Sequence, residues 1–141
     1  MKYLLDTCVI SELIKTKSNN KVINWINNND EQDFFLSVLT FGEIHKGIAK
    51  VSDKFRKDKL HKWVEHDLKE RFKNRIIPID INVAKVWGQI QARAELDGKP
   101  LPTIDSLIAA TGLFYELIVV TRNISDMQRS KVALLNPWEM E

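Results

Sequence analysis

Residues 1–14 read MKYLLDTCVISELI and set out the repeating unit of the whole chain. Lys2 to Leu5 is a short apolar run that stops abruptly at Asp6, as a buried strand does. From Thr7 onward the apolar residues Val9, Ile10, Leu13 and Ile14 recur at helical spacing. A strand that hands over to a helix at one acidic residue is the opening unit of a parallel sheet, because parallel neighbours require crossover connections.

The same alternation continues along the chain. Lys21 to Asn28 fits a second helix, Phe34 to Ser37 a second strand, and Val38 to about Lys50 a helix with Phe41, Ile44 and Ile48 on one face. After a break at Ser52-Asp53, residues 54–74 predict one long amphipathic helix, folded back on its predecessor as a hairpin. Arg75 to Ile79 reads as a third strand, and Pro78 places it at a sheet edge or a strand end. A helix over Asn82 to Leu96 closes at Asp97-Gly98. The stiff segment Lys99-Pro100-Leu101-Pro102 leads to a helix that Thr103 is expected to cap. Leu117 to Thr121 is a fully buried strand by composition, and Val132 to Leu135 a last short one. The expectation is one α/β domain over residues 1–141, with a central parallel sheet covered by helices on both faces.

Composition narrows the function classes. The 141 residues are 44% hydrophobic, enough for one ordinary core. No apolar run reaches the ~20 residues that span a bilayer, and the apolar start is cut by Asp6 before a signal segment could form. A soluble cytoplasmic protein without membrane contact is expected. The single cysteine, Cys8, permits neither an intrachain disulfide nor a multi-cysteine zinc site. Residues 54–75 concentrate nine Lys or Arg against four acids, although the whole chain carries only +2. A basic segment beside an acidic remainder suits a polyanion held near a metal pocket; a solvated helix face explains it equally well.

Ligands of a parallel sheet collect outside the carboxyl ends of its strands. Asp6 ends the first strand, Asp126 follows the fourth, Glu43 is about two turns into the helix leaving the second, and Asp105 lies in the first turn of the helix before the fourth. The residues at i+3, i+4 and i+7 from Asp105 are Ile108, Ala109 and Gly112, so its carboxylate shares an apolar face and calls for a cation or strong donors. No Lys or Arg lies between Lys2 and Lys15, and Arg122 is the one base near the fourth strand end. Converging carboxylates without basic partners are usually reconciled by a hard divalent ion, and oxygen-only ligands favour Mg²⁺ or Mn²⁺ over zinc. His61 and His66 miss the i, i+4 spacing of a helical zinc pair, and His45 lies on a different helix face from Glu43. Each acid also has an ordinary explanation, as a helix cap, a dipole-compensating charge, a surface ion pair or a turn residue.

Together, Leu5-Asp6-Thr7 with Val9-Ile10-Ser11-Glu12-Leu13, SVLTFGEIHKG from Ser37 to Gly47, PTIDSLIAA from Pro102 to Ala110, VTRNISD from Val120 to Asp126, and the ending Asn136-Pro137-Trp138 resemble the PIN-domain ribonucleases, in particular the VapC- and FitB-like toxins of type II toxin–antitoxin pairs. The resemblance spans nearly the whole chain. It implies a three-layer α/β/α domain with a helical hairpin clip, Mg²⁺- or Mn²⁺-dependent endoribonuclease activity, a homodimer and a cognate VapB-like antitoxin. It carries the acidic quartet onto Asp6, Glu43, Asp105 and Asp126, with Thr7 and Thr121 as supporting hydroxyls. Cys8 stands where Asn is frequent, and Met127 where Phe is frequent. RNA-backbone contacts are expected from Lys46, Arg122, Lys54, Arg56, Lys57, Lys59 and Lys62. Trp63, Phe72 and Trp87 are candidate dimer contacts.

Three other readings remain. A receiver-type phosphoacceptor would want an acidic pair after the first strand and a Lys after the last core strand, where Thr7 and Arg122 stand. A phosphatase with an Asp-x-Asp nucleophile meets Cys8 at its second acidic place. A non-catalytic nucleic-acid- or antitoxin-binding relative would dispense with the acids, all four of which are present.

Overall fold

The computed structural model describes residues 1–140. Among the described residues five strands form one parallel sheet in the order β3-β2-β1-β4-β5. They are β1 (Tyr3–Leu5), β2 (Phe34–Ser37), β3 (Ile76–Ile77), β4 (Ile118–Val120) and β5 (Leu134–Leu135). Leu4, Leu36 and Val119 are fully buried, as strands covered on both faces require. β1 is central: it pairs with β2 from Tyr3 opposite Phe34, and with β4 through Leu5 opposite Val120. β3, followed by Pro78, is an edge strand as expected, but only two residues long.

Helices α1 (Thr7–Glu12), α2 (Asn20–Asn27), α3 (Val38–Ala49), α6 (Ile81–Leu96) and α7 (Thr103–Tyr115) provide most of the two covering layers. One hydrophobic cluster joins Tyr3, Trp25, Phe34, Val64, Leu68 and Phe72; the other joins Leu4, Ile108, Ala109, Val119 and Val132 on the opposite side. α7 lies so close to β4 that a Cβ on Gly112 would meet Val119 Cγ2 at 2.7 Å and Val132 Cγ2 at 2.9 Å.

The hairpin differs from expectation in one respect. Residues 54–71 do not form one α-helix: α4 (Lys54–Lys62) passes into a π turn at Trp63–Leu68 and then α5 (Lys69–Arg71). The inward residues Val64, Leu68 and Phe72 are four apart, a spacing that drifts round a helix of about 3.6 residues per turn and that a wider turn realigns. Thr103 is the first residue of α7 and not its cap; that place falls to Pro102, which makes no side-chain capping bond. Of the candidate dimer contacts, Phe72 is consumed internally, while Trp63 and Trp87 are partly buried. Phe72 is fully buried, Trp63 packs against the core, and Trp87 Nε1 donates to Ser106 Oγ at 3.1 Å.

Candidate metal centre at the carboxyl edge of the sheet

Strand register brings the first site residues together. Leu5 pairs with Val120, so the next residues, Asp6 and Thr121, face each other where β1 and β4 end. The Thr121 hydroxyl donates to Asp6 Oδ2 at 2.8 Å, and the Thr7 backbone N–H donates to Asp6 Oδ1 at 2.8 Å. On the other flank, Ser37 ends β2 and caps α3 by accepting from the Leu39 N–H at 3.1 Å. That start places Glu43 in the second turn, where the Thr7 hydroxyl donates to its Oε1 at 2.5 Å.

Asp105 reaches the same edge although it precedes β4. Its helix α7 has 13 residues, hence a length of about 20 Å, and runs antiparallel to the strand it feeds, so its first turn lies over the strand's carboxyl end. Ser106 anchors that turn: its hydroxyl is held by Trp87 Nε1 and by Gln91 Nε2 at 2.6 Å, and lies against the carbonyls of Pro102 and Thr103. Asp6, Thr7, Cys8, Glu43, Asp105, Arg122 and Asn123 thus line one open cleft.

Asn123 is a site residue the sequence reading missed. Its Nδ2 donates to Asp105 Oδ2 at 2.8 Å, while its backbone N–H donates to Thr121 Oγ1 at 3.0 Å. The segment 121–123 therefore holds both Asp6 and Asp105. Asp126 is placed differently from the other acids. It sits in the short helix α8 (Ile124–Met127), outside the residues lining the cleft, yet near enough to act electrostatically on Asp105.

The electrostatics are those of crowded carboxylates. Burial pushes the Asp6 carboxyl above its ordinary range; Thr121 and the Thr7 N–H pull it down, and Glu43 and Asp105 push it further up. Asp105 is raised too, by burial first, then by Asp126 and Glu43, against the Asn123 amide. Among the described residues no Lys, Arg or His forms a salt bridge with any of the four acids. This donor set fits a hard divalent ion: the oxygens are anionic, mutually repelling and free of cationic partners. Burial and the Asp6 charge raise the Cys8 thiol, which disfavours the thiolate that a soft metal would need. No three of these side chains, among the described residues, already stand in ligating geometry. Glu43 is engaged by Thr7 and Asp105 by Asn123, so the carboxylates are gathered at one edge without being drawn together.

Of the expected RNA-contacting residues, Arg122 lines the cleft, and Lys46 is exposed on α3 one turn beyond Glu43. Lys54, Arg56, Lys59 and Lys62 are exposed on α4, while Lys57 is partly buried with its Nζ at the Ala49 carbonyl. Other cations of the basic segment are committed elsewhere: Lys69 pairs with Glu65, and Arg71 and Arg75 with Glu31.

Comparison with known proteins agrees with this architecture. The sequence pattern of the PIN domain family matches residues 3–129. The chain is 36% identical to Toxin FitB of Neisseria gonorrhoeae over 96% of this chain and 97% of that one. It is 29% identical to a VapC ribonuclease of Sinorhizobium fredii over 96% and 97%. The crystal structure of FitAcB from Neisseria gonorrhoeae superposes with a TM-score of 0.93 at 35% identity, covering 98% of this chain and 99% of that one.

Proposed function

The chain belongs to the PIN domain family, and from that premise we propose that it is a metal-dependent endoribonuclease serving as the toxin of a VapBC-like type II pair. It acts in the cytoplasm as a homodimer and is neutralised by a cognate VapB-like antitoxin. Similarity to a named toxin and to a named ribonuclease supports both halves of this reading. The observation that carries the chemistry is the meeting of Asp6, Glu43 and Asp105 in one cleft with, among the described residues, no cationic side chain bonded to them.

Asp6, Glu43 and Asp105 are the residues that would hold Mg²⁺ or Mn²⁺, directly or through water, with Asp126 completing the charge beside Asp105. When bound, the ion lowers the pKa of water and offsets charge developing on the phosphoryl oxygens. The protein's own part is orientation. Thr121 fixes Asp6 between β1 and β4, Thr7 holds Glu43 at the cleft, and Asn123 fixes one oxygen of Asp105. Carboxylates in the cleft accept a proton from the attacking water, and hydrolysis leaves a 3′-hydroxyl and a 5′-phosphate. Lys46, Lys54, Arg56, Lys57, Lys59 and Lys62 supply backbone contacts along the basic hairpin.

Cleavage of single-stranded RNA by purified protein tests this reading. Activity is expected with Mg²⁺ or Mn²⁺, to vanish with chelator and return with metal, and to fall at least ~100-fold in Asp105→Asn, the upper end of losses for groups that merely support a ligand. An Asp105→Asn protein as active as wild type would refute the assignment.

A further inference from the structure

Two residues of the sequence motifs outside the acidic quartet meet beside the cleft: Arg122 after β4 and Trp138 near the end. Arg122 lines the cleft beside Asp6, Glu43 and Asp105, yet among the described residues it forms no salt bridge. Its guanidinium lies over the Trp138 ring, 5.5 Å from the centroid. Trp138 is itself fixed, packed against the core and held at its backbone N–H by the Asn136 side chain at 3.0 Å. The Arg122 backbone is tied as well, its N–H pointing at Cys8 Sγ at 3.5 Å.

A long cationic side chain beside unpaired carboxylates ordinarily collapses onto one of them. Here the Trp138 ring face draws it off, and its donors stay available. An uncommitted planar fork at the mouth of an acidic cleft suits an anion with paired oxygens. It also meets a need of the cleft: three carboxylates and one divalent ion leave a net negative charge, which repels an incoming phosphodiester unless a further cation stands at the rim.

We propose that Arg122 is the phosphodiester receptor of this cleft, and that Trp138 is the positioning residue that keeps it from pairing with the cleft's own carboxylates. The inference rests on the ribonuclease reading and identifies the side chain that would take the RNA backbone at the site.

The test is fluorescence anisotropy with a short labelled single-stranded RNA, with Ca²⁺ in place of Mg²⁺ and the RNA checked for integrity on a gel. Arg122→Gln is expected to bind about tenfold or more weakly, as loss of a charged hydrogen bond implies, and to lower the log–log salt slope by about 0.7, the share of one single-strand phosphate contact. Its Mn²⁺ affinity, measured by calorimetry without RNA, should equal or exceed that of wild type, since a nearby positive charge is gone. Trp138→Leu should lose RNA affinity while Trp138→Phe retains it, with melting temperatures identifying any variant that has merely unfolded. Equal RNA binding by wild type, Arg122→Gln and Trp138→Leu would overturn the receptor and leave the nuclease standing. A wild-type protein that binds no RNA would remove the ribonuclease reading, and the receptor with it.

Discussion

Asp6 and Asp105 show what a sequence discloses of a site and what it hides. Both were legible because a charge at a strand end or on an apolar helix face demands an explanation. Asn123 gave no such signal: a neutral amide after a strand reads as a turn residue, and only the structure reveals its bond to Asp105. Asp126 was legible as an acid beyond β4, but α8 winds immediately after Asn123 and carries it out of the cleft lining. The raised carboxyls have a consequence for stability. A carboxyl whose folded pKa is above its unfolded one binds its proton more tightly in the folded state. The stability it contributes is present below the unfolded value, about 3.9 for Asp, and lost as pH rises through the folded one. At neutral pH the metal-free protein therefore carries a penalty at Asp6 and Asp105. Asp105→Asn should melt higher than wild type in chelator at pH 7, with the difference vanishing below the ordinary Asp range. A lower melting temperature at pH 7 would show that Asp105 is not strained by its neighbours.

Among the elements, strand–helix alternation was readable from residues 1–14 outward, because fully buried strands and amphipathic helices leave distinct periodicities. The π turn at Trp63–Leu68 was not, since inward residues four apart are compatible with an ordinary helix. The placement of Asp105 depends on how closely α7 settles on β4, and Gly112 sets that distance. Gly112→Ala would drive a methyl into Val119 and Val132, whose branched side chains have little freedom to yield. Overpacking of this kind costs about 1–3 kcal/mol, and urea unfolding should register a loss in that range. Unchanged stability would mean that α7 can shift outward freely, and that the cleft is not rigidly framed on that side.

At the level of the whole molecule, Phe72 lies within the core and is closed to the proposed homodimer, while Trp63 and Trp87 are only partly buried and exposed apolar residues offer further contacts. Phe55, Ile81 and Leu96 remain, 80%, 84% and 87% exposed. Light scattering should give twice the chain mass, and Leu96→Glu or Phe55→Glu should reduce it; a concentration-independent monomer of wild type would remove the dimer. On the proposed function, the basic hairpin would meet the RNA backbone and the acidic cleft would hold the ion. The claim beneath both is that Asp6, Glu43 and Asp105 act as one divalent-ion site. Calorimetric titration of metal-stripped protein with Mn²⁺ measures it most directly. Wild type should give a saturable heat with definite stoichiometry, and Asp6→Asn, Glu43→Gln and Asp105→Asn should each weaken it ~10-fold or more. Mn²⁺ binding that is absent in wild type, or untouched by all three substitutions, would contradict the account.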